Sequence, residues 1–87
     1  LRALERLSEA QHALAIFQDR MLPAARDRVD SARTSFETGQ RDFSTLIDAE
    51  RRLREAELGS EEARVEVSRR HAELARALGT ISEGELP

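Results

Sequence analysis

The chain has 87 residues, enough for one small domain with little interior, and 36% of them are charged. Its 14 basic and 17 acidic residues give a net charge of −3, and the two signs are interleaved. That is a solvated helix surface rather than a phosphate-binding stripe, and it argues against nucleic acid as a partner. The absence of cysteine excludes a disulfide framework and a thiolate metal site. The longest strictly apolar run, Ala13 to Phe17, is far too short to cross a membrane.

The first predicted element is a helix over about residues 2–37. Leu4, Leu7, Ala10, Leu14, Phe17, Met21, Ala25, Val29, Ala32 and Phe36 follow one another at spacings of three or four, a single helical stripe. Pro23 lies inside it and removes the backbone bond to the carbonyl of Asp19. The stripe breaks at a tip spanning 38–42. Gly39 can take the left-handed conformation that ends a helix, and Asp42 suits the N-cap of the next. A second helix over about 43–78 carries Phe43, Leu46, Ala49, Leu53, Ala56, Ser60, Ala63, Val67, Leu74 and Leu78, with His71 in the gap after Val67.

A linker this short makes the helices antiparallel neighbours, each about 55 Å long. Folding the stripe about the tip sets Phe36 against Phe43 and Leu46, Val29 against Leu53, Ala25 against Ala56, Leu14 against Val67, Leu7 against Leu74 and Leu4 against Leu78. The expected fold is therefore all-α, an antiparallel two-helix coiled-coil hairpin. Gly59 falls opposite Pro23, which suggests a shared bend. Gly79 reads as a C-cap closing a hairpin over 1–79, with 80–87 as a tail. Thr80 to Glu83 and Ser82 to Glu85 have capping-box spacing.

Met21-Leu22-Pro23-Ala24-Ala25 is similar to a Leu-Pro-x-Ala element of the TolC-like outer-membrane efflux proteins. The segment from Ser35 to Ala49 resembles that family's pattern of an aromatic residue, a glycine, a short polar turn, an apolar residue and Leu-Leu-Asp-Ala. Ala77-Leu78-Gly79-Thr80 looks like the end of the family's returning helix. The resemblance implies a piece of a larger α-helical barrel: the second periplasmic hairpin of a homotrimeric channel in the outer membrane of a Gram-negative bacterium. It implies efflux or type I secretion as the transport function. A periplasmic adaptor (membrane fusion) protein would dock at the tip, with an inner-membrane transporter engaged indirectly. We expect the chain to be excised from such a parent.

By position, Gly39 matches the family's tip glycine, with Gln40, Arg41 and Asp42 completing the adaptor-docking turn. Arg41 matches a basic residue that helps hold the mouth closed. Asp48 matches an acidic residue lining the constriction, whereas Thr45 stands where TolC has a second acidic residue. Read without the family, Asp48 falls in the first turn of the returning helix and complements its dipole.

No Gly-rich phosphate loop and no nucleophilic triad is present, so the chain reads as non-enzymatic and without a cofactor. His12 and His71 come near one another in the hairpin and could bind a metal with Glu9 or Glu73, but no HxxxH or HxxE spacing supplies a ligand set. We therefore expect no metal. Two rival readings are a cytosolic coiled-coil oligomerisation module and the hairpin of a periplasmic adaptor.

Overall fold

The structure, a computed structural model, describes residues 1–85, with side chains as far as Thr80. Helix α1 spans Arg2–Ile16, passes through one π-helical turn at Phe17–Met21, and continues as α2, Leu22–Glu37. After the turn, α3 runs back as one helix, Phe43–Glu85. Both α1 and α2 pack along α3, so the expected all-α hairpin of two long antiparallel arms is present, with no strand among the described residues. It is a rod of 75 × 15 × 12 Å with a radius of gyration of 20.1 Å. A compact chain of this length would have a radius of about 12 Å.

The interior is thin. The buried apolar residues are Ala3, Leu7, Ala10, Ala25, Val29, Ala32, Leu46 and Ala56, joined by Ser60. Alanine dominates, so the backbones approach closely while each contact removes little apolar area from water. The best-formed cluster lies toward the tip, where Val29, Ala32 and Leu46 meet Ala49 and Leu53. Above it the rings of Phe36 and Phe43 sit 5.5 Å apart at 56°. Several expected stripe residues lie on the flank instead: Leu4, Met21, Phe36, Phe43 and Leu78 are all exposed. Ala3 and Ala77 take the inward places beside Leu4 and Leu78.

The two arms differ in phase. On α3, the residues withdrawn from solvent include Leu46, Ala49, Leu53, Ala56, Ser60, Ala63, Val67, Arg70, Leu74 and Ala77, an unbroken alternation of threes and fours. On the first arm Ala3, Leu7, Ala10, Leu14 and Phe17 follow the same rhythm, and so do Ala25, Val29 and Ala32. From Phe17 to Ala25, however, is eight residues, one more than a heptad. The π-turn absorbs that extra residue, with the Leu22 amide donating to the Phe17 carbonyl five residues back. Pro23 follows at once and has no amide to offer Asp19. The disturbance thus sits where the proline placed it, in a different form from a shared bend. The rod is too slender for a sharp kink, and the side chain seated over Gly59 is Phe17, not Pro23.

At the end away from the tip, one ion pair, Arg6 with Glu73, ties the arms together and is braced by two pairs within α3. Arg6 on α1 donates to Glu73 at 2.8 Å, and Arg70 donates to Glu73 and to Glu66, each at 2.7 Å. These two arginines hold the Glu73 carboxyl below its usual range, Arg70 contributing most. Arg70, not the expected His71, takes the inward place in the heptad gap between Val67 and Leu74, and His71 is exposed. Gly79 does not end the helix. It is helical, only Gly39 among the described glycines has a positive φ, and the Thr80 hydroxyl donates back to the Arg76 carbonyl at 2.9 Å. The expected break between a hairpin and a tail at that point is absent from the backbone. The capping boxes proposed for Thr80 to Glu83 and Ser82 to Glu85 involve side chains outside those described.

Candidate functional site: the tip turn and its groove

The tip is built from two complementary caps. At the end of α2, Gly39 takes φ +77, its amide donating to Phe36 at 3.0 Å and the Gln40 amide to Ser35 at 2.8 Å. This is the Schellman arrangement, which closes the last helical carbonyls through a left-handed residue. The Arg41 amide also reaches Ser35, at 3.1 Å. The Thr38 hydroxyl donates to the Thr34 carbonyl at 3.0 Å and fastens the last turn.

Asp42 opens α3 as the sequence indicated. One carboxylate oxygen accepts from the Thr45 amide at 3.2 Å, the Thr45 hydroxyl at 3.0 Å and the Ser44 hydroxyl at 2.9 Å. These donors favour the ionised form and lower the Asp42 pKa, the Ser44 hydroxyl contributing most. Asp42 and Thr45 are thus partly committed to shaping the turn. Gln40 and Arg41 stand exposed beside them.

Below the turn an open groove of about 510 Å³ runs between α2 and α3. It brings Arg41, Thr45 and Asp48 to one face, together with Arg28 and Arg52. Asp48 is an exposed side chain 3.8 Å from Arg51. No acidic residue lies in the first turn of α3, so the dipole role expected for Asp48 is not available: it sits in the second turn, where the dipole's effect has faded. The arginines Arg28 and Arg52 were not singled out by the apolar stripe. A parallel stripe would have found them, since Arg28, Ser31 and Ser35 recur at spacings of three and four, as do Thr45, Asp48 and Arg52.

Away from the tip, His12 and His71 are both exposed, and Glu73 is engaged by Arg6 and Arg70. Among the described residues no group of three or more His, Cys, Asp or Glu side chains is placed to hold a metal, and no helix is long and apolar enough to cross a membrane. The tip presents a fixed turn, an open groove and exposed charged side chains. Comparison with known protein families, curated proteins and solved structures finds no match for the chain.

Proposed function

We propose that the chain is a tunnel-forming hairpin of a TolC-like outer-membrane channel, serving efflux or type I secretion, with Gly39 to Asp42 as its adaptor-docking turn. The observation that carries this reading is the mismatch between length and interior. A 75 Å rod with an alanine-rich seam leaves Leu4, Ile16, Met21, Leu58 and Val65 exposed along its flanks. Such a hairpin has apolar surface to spare for neighbours on either side, as a stave in a barrel of helices requires. The capped turn suits docking because its backbone is fixed in advance, so a partner orders little on binding. Asp48 and Arg41 on one groove face fit a charged mouth lining.

The test uses the full-length parent. A cysteine at Gln40 should crosslink to the periplasmic adaptor. Asp48→Asn should lower cation selectivity in single-channel recordings, an effect strongest at low salt because exposed charges are screened over about 8 Å at physiological ionic strength. A Gln40 cysteine that captures no adaptor, with Asp48→Asn recordings unchanged at every salt concentration, would overturn the reading.

A further inference from the structure

We propose that a second copy of this chain docks on the groove face, laying the outer ridge of its α3 across Arg28 and Arg52. The groove is longer than its tip half. A second hollow of about 400 Å³, bounded by Phe17, Ala24, Ala25 and Ala56, shares Arg28 and Arg52 with the first. The two therefore form one trough along the hairpin, covering roughly 27 Å of the first arm from Phe17 to Ser35 at the standard helical rise. Its walls carry small residues on both sides of the waist, with Ala24, Ala25 and Ala56 on one side and Ser31, Ala32 and Ala49 on the other. Small residues let a helix ridge settle between the arms. At the waist stand two guanidinium groups that, among the described residues, make no ion pair.

The complementary surface is on the same chain. Leu58 and Val65 are 60% and 56% exposed and lie one heptad apart on α3. Glu62 lies between them, also exposed and in no ion pair among the described residues. At spacings of four and three these side chains form one ridge. The inward positions Ala56, Ser60, Ala63 and Val67 occupy the opposite side of the helix, so the ridge faces away from its own hairpin. Asp27, Asp48 and Glu55 also line the trough, against Arg20, Arg28, Arg41 and Arg52, so its charge is only slightly basic. The complement to the apolar–acidic–apolar ridge is the Arg28–Arg52 waist with the small residues on either side of it. Leu58 and Val65 are about 10 Å apart along the axis, well within the trough. Glu62 then reaches Arg28 and Arg52, and a guanidinium–carboxylate pair sets the register. Ridge and trough are different surfaces, so the contact is heterologous and each copy retains a free site of each kind. One ridge in one trough falls at the small end of interface size, so the association is weak and concentration-dependent. The inference concerns the 87-residue chain by itself and does not rest on the channel reading, in which this ridge would face a neighbouring stave and the groove face the tunnel. The contact at the waist leaves the Gly39–Asp42 turn clear.

Sedimentation equilibrium of the 87-residue chain over about 10 µM to about 1 mM should reveal association. It should weaken as salt rises. Glu62→Arg alone, or Arg28→Glu with Arg52→Glu, should each lower the association constant about tenfold, and mixing the two reversed chains should restore it as a heterologous pair. Val65→Ser should weaken association without touching charge. All four positions are exposed, and circular dichroism verifies that helicity is retained in each variant. A chain that stays monomeric at the highest concentration overturns the proposal. So does association that both reversals leave unchanged, or reversed chains that fail to recover on mixing.

Discussion

Gly59→Ala separates the geometry of this hairpin from the generic behaviour of helices. In an ordinary exposed helix, replacing glycine by alanine gains about 1 kcal/mol. At Gly59 the new Cβ would lie 2.5 Å from Cε1 and 2.7 Å from Cζ of Phe17. Carbon atoms pack best at about 3.5–4.0 Å, so the ring must withdraw by about 1 Å or more. Phe17 is half-buried and begins the π-turn, so withdrawal exposes ring surface on the inner face of the arm. Full burial of a phenylalanine contributes about 1.5–3 kcal/mol, and losing most of a half-buried ring's share, together with the disturbed packing, costs about 2 kcal/mol. The net effect is a destabilisation of about 1 kcal/mol. Urea denaturation followed by circular dichroism measures it. In a Phe17→Ala background, where the clash is gone, the same Gly59→Ala change should instead stabilise by about 1 kcal/mol, giving a coupling of about 2 kcal/mol in the double-mutant cycle. A stabilising Gly59→Ala in the parent chain, or a coupling below about 0.5 kcal/mol, would refute the seating of Phe17 on Gly59.

Deleting Gln18 removes the one-residue excess between Phe17 and Ala25, so the π-turn should revert to α-helix and the thermal midpoint should be retained or raised. Deleting Asp30 throws Ala32 out of phase with Val29 and should lower it by more than about 5 °C. Asp42 and Glu73 both have lowered pKa values, so each contributes stability at neutral pH that fades as the pH falls below their ordinary 3.8 and 4.5. Asp42→Asn keeps a competent cap, and its melting temperature should fall less steeply on acidification, whereas Asp42→Ala should melt lower at pH 7. At Gly39 a side chain would meet open space, so Gly39→Ala should cost only the left-handed backbone penalty of about 1–2 kcal/mol. Asparagine there should cost less, and equal losses for the two would show that the turn is not held at φ +77.

The two arms, their antiparallel sense and the turn are legible in the residues alone. Helical spacing of apolar residues is a local property, and so are the left-handed tolerance of Gly39 and the capping chemistry of Asp42. Pro23 marked the site of backbone disturbance for the same reason: the missing amide belongs to the residue itself. What tertiary packing alone decided is how those arms meet. Counting Met21 into the stripe hid the eight-residue step from Phe17 to Ala25, because spacings of four are allowed anywhere in an α-helix. Only the unbroken heptads of α3 reveal the excess, and only contact with α3 turns it into a π-turn with Phe17 over Gly59. The exposure of Leu4 and Leu78, with Ala3 and Ala77 turned inward, follows from the same competition, since two closely packed helices admit small side chains at their seam more readily than large ones. The groove depends likewise on both arms. Arg28 and Arg52 are distant in the chain and ordinary on their own helices, and they become one basic waist only when the hairpin closes.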